Sequence, residues 1–176
     1  MLAAAVTVVM TTATAVLEAS CFCGAVRLKV KDATAKPPIS VSICHCETCR
    51  KLTGAPMLAN VMLPADRLEV VNTEGNADAT DSYLVASQTS KHVTRHRCSK
   101  CYSPVYATLG KGRVVVPSSL FAPPHPETWT PQHHLYYERR VTDVHDTLPK
   151  YRTHYGSALF GDETGTPSAD DAAGAR

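Results

Sequence analysis

The sequence predicts a single, mainly β domain built from antiparallel sheets with little helix. Its 176 residues fit one domain, since single domains commonly have about 100 to 200 residues. Twelve prolines and nine glycines indicate a chain rich in loops and turns. Several short segments alternate between apolar and polar residues, which is the period of a half-buried strand. With 44% hydrophobic and 19% charged residues, the composition is typical of a soluble globular protein.

Residues 1–17 precede the first predicted strand and are expected to form an N-terminal extension or an edge strand. The segment is apolar, but it lacks the basic start of a signal peptide. Four threonines also interrupt it, and it is short for a membrane span of about 20 residues. We therefore expect no membrane partner, and a targeting peptide is the alternative interpretation of this segment.

The strands are predicted from their period. In residues 25–30, Val26, Leu28 and Val30 fall on one face, while Arg27 and Lys29 fall on the other. Polar residues 72–81 and the proline-rich residues 121–126 are expected to be loops. Further strands are predicted at residues 57–63, 68–71, 105–109, 113–116 and 135–138.

The only helical signal lies in residues 47–52, where good helix formers follow a cysteine cluster and Gly54 can end the helix. The folded domain is expected to span residues 18–155. Residues 156–176 are expected to form a disordered tail, because from residue 161 onward the sequence GDETGTPSADDAAGAR has almost nothing to bury.

The charge of the chain argues against a nucleic-acid partner. The net charge is +2 and the pI is about 8.2, whereas nucleic-acid-binding domains usually carry a strongly basic face. The most basic stretch, residues 91–100, is equally well explained as a solvated strand beside a metal site.

The seven cysteines occur in three clusters, at residues 21–23, 44–49 and 98–101. A disulfide framework explains them poorly, because their number is odd and cysteines one or two residues apart are awkward partners. Zinc explains them well, because closely spaced thiolates can bind one ion in a tetrahedron. Structural zinc sites take four protein ligands and catalytic sites typically take three, so seven cysteines divide naturally into four and three.

Spacing alone allows two divisions of these cysteines. Cys46 and Cys49 could join Cys98 and Cys101 in a zinc ribbon. Alternatively, the C-x-C-x-x-C run of residues 44–49 closes around one ion by itself, and the other two clusters form the four-cysteine site. We favour the second division. His45 and His96 are expected to be neighbours of the sites rather than ligands.

The cysteine clusters and their flanking residues resemble the glutathione-dependent formaldehyde-activating enzyme family, which also includes the centromere protein V domain. The resemblance extends over roughly residues 18–155. It rests on SCFCGAV at residues 20–26, CHCETCRKLTGA at residues 44–55, CSKC at residues 98–101, LYYER at residues 135–139 and DTLPKY at residues 146–151.

This resemblance implies a β-tent fold, in which antiparallel sheets fold around a structural zinc, and two zinc ions per chain. The residues that match the structural zinc ligands are Cys21, Cys23, Cys98 and Cys101. The residues that match the ligands of the catalytic zinc are Cys44, Cys46 and Cys49.

The resemblance also implies a carbon-sulfur lyase activity, S-(hydroxymethyl)glutathione synthesis, with glutathione and formaldehyde as small-molecule partners. One alternative is an enzyme with the same fold that acts on a different thiol or carbonyl compound. The other is a zinc-stabilised interaction or nucleic-acid-binding module without catalysis. Seven thiols favour a reducing compartment, with the cytoplasm expected and the nucleus as the alternative. No oligomeric state follows from the sequence.

Overall fold

The computed structural model describes residues 16–72 and 83–161. Three expectations fall wholly or largely outside these ranges: the N-terminal extension, the polar loop at residues 72–81 and most of the C-terminal tail. Within the described ranges, no helix is long and apolar enough to span a membrane.

The described residues form ten strands and one short α-helix. The helix α1 spans Glu47–Thr53, between the third and fourth strands. The strands are β1 (Leu17–Ser20), β2 (Val26–Val30), β3 (Ser40–Cys44), β4 (Leu58–Pro64), β5 (Leu68–Asn72), β6 (Leu84–Ser90), β7 (Val93–Cys98), β8 (Pro104–Leu109), β9 (Arg113–Pro117) and β10 (His133–Leu135).

These strands form two sheets. The smaller sheet has the order β1-β2-β5, and all its pairs are antiparallel. The larger sheet has the order β10-β3-β4-β9-β8-β7-β6. Its pairs are antiparallel except for β10, which lies parallel to β3 at the sheet edge. The prediction of a mainly β protein with antiparallel sheets is confirmed.

The hydrophobic core contains residues from both sheets. Val26, Leu28 and Val30 of β2 are fully buried, as the alternation of this strand predicts. They belong to one buried cluster with residues of β4 and β9. Trp129 and Phe121 extend this cluster and contact each other edge to face, with ring centroids 4.9 Å apart. The core therefore joins the two sheets into one body.

The predicted strand at residues 135–138 is wrong in its position. Strand β10 ends at Leu135, whose carbonyl oxygen accepts a hydrogen bond from the backbone N–H of His45. Tyr136 then adopts a left-handed backbone conformation with φ of 55°, and a 3₁₀ turn follows at Tyr137–Arg139. A residue in this conformation cannot continue an extended strand.

Residues 156–161, which the sequence assigned to the tail, pack on the domain. Ser157 is buried, and its hydroxyl accepts a hydrogen bond from the backbone N–H of Thr153 at 3.1 Å. The backbone N–H of Phe160 donates to the carbonyl oxygen of Lys150, and the Phe160 ring contacts Tyr137. The tail boundary at residue 156 is thus too early, because Ser157 and Phe160 form contacts with the folded domain.

Candidate metal centres

The structure brings the seven cysteines together in two groups. In each group the sulfur atoms lie within 4.8 Å of one another, and either group could hold a metal ion. The first group, called the four-cysteine site below, contains Cys21, Cys23, Cys98 and Cys101. The second group, called the three-cysteine site below, contains Cys44, Cys46 and Cys49. The ribbon division that pairs Cys46 and Cys49 with Cys98 and Cys101 does not occur.

The four-cysteine site joins two tight turns that are distant in sequence. One turn links β1 to β2, and the other links β7 to β8. The Sγ atoms of Cys21 and Cys23 are 3.6 Å apart, and those of Cys23 and Cys98 are 3.7 Å apart. A tetrahedron with zinc–sulfur bonds of 2.3 Å has sulfur–sulfur edges of about 3.8 Å. These spacings therefore suit a closed tetrahedral site.

Backbone hydrogen bonds hold each turn in shape. The N–H of Cys21 donates to the carbonyl oxygen of Val26 at 3.0 Å, and the N–H of Cys98 donates to that of Ser103 at 3.0 Å. Tyr102 has φ of 58°, a left-handed conformation that closes the second turn. Its N–H donates to the carbonyl oxygen of Cys98 at 2.9 Å. Each pair of cysteines is thus positioned by its own local turn.

Two thiols of the four-cysteine site, those of Cys21 and Cys101, have pKa values shifted in opposite directions. Burial and hydrogen bonds with the other thiols raise the pKa of Cys21 to about 12. Burial also raises the pKa of Cys101, but hydrogen bonds with Ser103 and Cys23 outweigh it and lower the value to about 6. One thiolate supported by neighbouring donors is the arrangement expected of a packed thiol cluster, since only one member can carry the charge at low cost.

The three-cysteine site is local in sequence. Cys44 is the last residue of β3, and Cys46 is the N-cap of α1. The Sγ atom of Cys46 accepts a hydrogen bond from the backbone N–H of Cys49, which lies in the first turn of the helix. The strand end and the helix start therefore place three sulfur atoms together within six residues of chain.

The three-cysteine site favours one thiolate. Hydrogen bonds from the thiols of Cys44 and Cys49 lower the pKa of Cys46 to about 2. Hydrogen bonds with Cys46 and Cys49, followed by burial, raise the pKa of Cys44. Arg95 of β7 adds a positive charge, with its Nη2 atom 3.8 Å from the Sγ of Cys49. The site thus stabilises negative charge on sulfur, the form of cysteine that binds metals.

A chain of hydrogen bonds begins at His45, between two of these cysteines. The Nε2 of His45 and the Nδ1 of His134 are 2.9 Å apart, and the Nε2 of His134 donates to Oδ2 of Asp146 at 2.8 Å. Both imidazoles are fully buried. Lys150 donates to Oδ1 of Asp146 at 2.7 Å, and this contact, supported by His134, outweighs the opposing effect of burial and lowers the pKa of Asp146 to about 2. Asp146 is therefore a carboxylate at neutral pH.

An open cleft lies along helix α1, the helix that carries Cys49. It has a volume of about 360 Å³, and its lining residues are Glu47, Thr48, Lys51, Leu52 and Thr89. The hydroxyl of Thr89 accepts a hydrogen bond from Arg95, the residue that also contacts Cys49. Tyr136 also lies near the site. Burial and the charges of the three cysteines raise the pKa of its phenol. The surroundings combine a cation, a phenol and an open cleft.

The donor sets fit zinc. Each consists of thiol sulfur alone, which selects soft or borderline ions that accept tetrahedral geometry. The four-cysteine site supplies a complete ligand set, whereas the three-cysteine site leaves one position for another molecule.

Four residues around the three-cysteine site were not predicted from the sequence, namely Arg95, His134, Tyr136 and Asp146. Arg95 belongs to the basic stretch that was interpreted as a solvated strand. Tyr136 and Asp146 belong to the two C-terminal motifs of the family resemblance, and His134 directly precedes the first of them. Those motifs were the signal that could have connected this segment with the site. His45 and His96 lie outside both sulfur groups, as expected.

The chain was compared with protein families, curated proteins and solved structures. A family model described as "Glutathione-dependent formaldehyde-activating enzyme" matches residues 16–139, which include all seven cysteines. No curated protein matches the chain. A solved protein of Rhodobacter sphaeroides shares 18% sequence identity over 61% of this chain and 92% of its own, with a TM-score of 0.47.

Proposed function

Because the chain belongs to the glutathione-dependent formaldehyde-activating enzyme family, we propose that it adds the thiol of glutathione to formaldehyde at the three-cysteine site. The family supports a formaldehyde-activating or glutathione-related role in general. The specific reaction proposed is S-(hydroxymethyl)glutathione synthesis, a carbon-sulfur lyase reaction. Cys44, Cys46 and Cys49 would hold a catalytic zinc, and Cys21, Cys23, Cys98 and Cys101 would hold a structural zinc.

The observation that carries this proposal is the incomplete ligand set of the three-cysteine site, next to a helix that lines an open cleft. A zinc ion bound there would supply Lewis acidity and a position at which a substrate thiol could lose its proton. In the reaction, the sulfur electron pair forms a bond to the formaldehyde carbon. The C=O π pair moves to oxygen, and the proton that leaves the thiol ends on that oxygen.

The surrounding residues would contribute positive charge and hydrogen-bond donors. Arg95 contacts Cys49 and offsets the negative charge of three thiolates, which favours the approach of a further anion. The phenol of Tyr136 is a donor that can stabilise negative charge on the product oxygen. Lys51 in the cleft can meet a carboxylate of glutathione, although it also pairs with Glu47 at 2.6 Å.

The four-cysteine site would act on folding rather than on chemistry. Its donor set is complete, and Cys21 and Cys98 are almost fully buried. A closed site of this kind contributes its binding energy to the folded state. We further propose a reducing compartment, the cytoplasm, because seven unpaired thiols would oxidise elsewhere.

The proposed activity is tested by the exchange rate between glutathione, formaldehyde and their adduct at equilibrium, measured by NMR exchange spectroscopy. This method separates catalysis from the spontaneous reaction, which proceeds without protein. We expect wild-type protein to accelerate exchange and Cys49→Ser to lose the acceleration while remaining folded. Equal exchange rates with wild-type protein, with Cys49→Ser and without protein would refute the proposal.

A panel of thiols and aldehydes separates glutathione and formaldehyde from other substrates of the same site. Acceleration with another pair, together with none for glutathione and formaldehyde, would keep the three-cysteine site as the reaction centre and reject the named substrates. A matched measurement with S-methylglutathione, which has no free thiol, should give no exchange and no change in the site.

A further inference from the structure

The chain of His45, His134 and Asp146 links the three-cysteine site to a segment more than 80 residues away. The family match ends at residue 139, so Asp146 lies outside it. Tyr137 packs edge-on against both rings, with centroid distances of 5.0 Å to His45 and 5.5 Å to His134. The two imidazoles are therefore held in place by packing as well as by hydrogen bonds.

The directions of these hydrogen bonds follow from the carboxylate. A carboxylate can only accept, so the Nε2 of His134 must carry a hydrogen. If His134 is neutral, its Nδ1 is an acceptor, and the hydrogen between the two rings belongs to Nε2 of His45. The Nδ1 of His45 is then a lone-pair acceptor, and it is a buried atom with no hydrogen-bond partner.

We propose that Asp146 and His134 are positioning residues, which fix the tautomer and orientation of His45 and thereby the shape of the three-cysteine site. His45 lies directly between Cys44 and Cys46, so a fixed imidazole restrains the backbone on which both thiols are carried. The backbone N–H of His45 is also held, by its hydrogen bond to the carbonyl oxygen of Leu135. This inference rests on the proposed function only in treating the three cysteines as metal ligands.

The carboxylate can be changed without changing its shape. In Asp146→Asn, Oδ1 would still face the two donors that it meets now, the backbone N–H of Leu148 and the Nζ of Lys150. The new amide NH₂ would therefore face His134 in place of Oδ2. Since this group donates, His134 would have to accept at Nε2 and donate from Nδ1, and the hydrogen in each ring would move to the other nitrogen. His45 would then carry a buried N–H with no partner.

The experiment combines two measurements on the zinc-loaded protein. Long-range ¹H–¹⁵N correlation spectra of histidine-labelled protein report which ring nitrogen carries hydrogen. Competition with a chromophoric chelator reports zinc affinity at the weaker and the tighter site separately. For wild type we expect hydrogen on Nε2 of both rings. For Asp146→Asn we expect hydrogen on Nδ1 of both rings, together with a loss of zinc affinity of roughly 10- to 100-fold at the weaker site alone.

Glu138→Gln is the matched control, because it removes the same charge from the same segment. Glu138 pairs with Arg139 and Arg152 at the surface, and it should change neither the tautomers nor the zinc affinity. The inference is overturned if wild type has hydrogen on both nitrogens of His134, if Asp146→Asn keeps the wild-type tautomers, or if zinc affinity falls equally at both sites. Absence of a weaker zinc site in wild type would refute the proposed function. The tautomers would still test the hydrogen-bond chain from Asp146 to His45.

Discussion

At the scale of single residues, Arg95 determines much of the charge at the three-cysteine site. Its guanidinium bridges the Thr89 hydroxyl and the Sγ of Cys49, and among the described residues it forms no ion pair with a carboxylate. An arginine without a carboxylate partner lends its charge to the thiols that it contacts. A hydrogen bond to a charged group contributes about 1.5 to 3 kcal/mol, so removal of this cation should be measurable.

We predict that Arg95→Gln weakens zinc binding at the three-cysteine site by about tenfold, which corresponds to about 1.4 kcal/mol. The reason is that the thiolates lose the cation that compensates their negative charge. Chelator competition on purified protein gives the affinity of each site. Arg113→Gln is the control, since Arg113 only donates to the carbonyl oxygen of Gly110 in an exposed turn. An unchanged affinity in Arg95→Gln would mean that solvent screens this contact.

At the scale of structural elements, helix α1 defines the three-cysteine site. The helix begins directly after Cys46 and ends at Gly54, whose backbone N–H donates to the carbonyl oxygen of Arg50 at 2.8 Å. Gly54 has φ of 71°, a conformation that costs a residue with a side chain about 1 kcal/mol or more. This glycine lets the chain leave the helix and enter β4.

Gly54→Ala is predicted to lower the free energy of unfolding by about 1 kcal/mol. A Cβ atom at this position would meet nothing within 4 Å, so the expected loss is purely conformational. Urea unfolding followed by circular dichroism measures it. Gly110→Ala offers a comparison, because Gly110 also has open space around a Cβ but lacks the left-handed conformation. Equal losses in both variants would rule out backbone strain at Gly54 as the cause.

The elements that the sequence predicted well are those with a clear period or a clear end signal. The strand at residues 25–30 and helix α1 were predicted nearly to their bounds, because Val26, Leu28 and Val30 alternate and Gly54 ends the helix. Strand β6 was missed, and β7 was recognised only as a solvated strand within residues 91–100, since LVASQTS and VTRHRC are polar and most of their side chains are partly buried or exposed. Pairing with neighbouring strands, rather than burial, holds these segments in the sheet.

The site was predictable as far as its ligands are local. The short spacing within each cysteine cluster predicts a metal site, whereas the residues that support the site come from distant parts of the sequence. His134 reaches His45 because β10 pairs with β3 in parallel, with His134 opposite Ile43. Such a pairing leaves no trace in the local sequence, because three residues are too few for a strand period.

At the scale of the whole molecule, the two cysteine sites have different positions in the fold. The four-cysteine site connects the β1–β2 turn of the small sheet with the β7–β8 turn of the large sheet. Cys23 and Cys98, which belong to these two turns, are 75 residues apart in sequence. The three-cysteine site lies within one strand–helix junction. Loss of the first should therefore disturb the whole domain, and loss of the second should disturb only one junction.

We predict that Cys98→Ser and Cys101→Ser are unfolded or poorly soluble, whereas Cys46→Ser and Cys49→Ser remain folded and lose zinc at one site. Structural zinc modules gain about 10 to 16 kcal/mol from their ion, which equals or exceeds the stability of many whole domains. Wild-type protein should contain two zinc ions per chain. Thermal melts and elemental analysis of the four variants check these expectations.

The controls for this comparison are contained in the set, because every variant makes the same sulfur-to-oxygen change. Equal loss of folding in all four variants would contradict the expectation that only the four-cysteine site is required for folding. A wild-type content of one zinc per chain would contradict the presence of two metal centres.

The different sequence spans of the two sites also set an order in time during synthesis of the chain. Cys44, Cys46 and Cys49 leave the ribosome together, and their ligand set is complete before Cys98 and Cys101 have been made. At about 5 to 20 residues per second, the interval lasts several seconds. The nascent chain thus presents the three-cysteine loop before His134 and Asp146 have been synthesised. The four-cysteine site needs Cys21 and Cys23 as well as Cys98 and Cys101, so it forms only after the sulfur set of the three-cysteine site is complete.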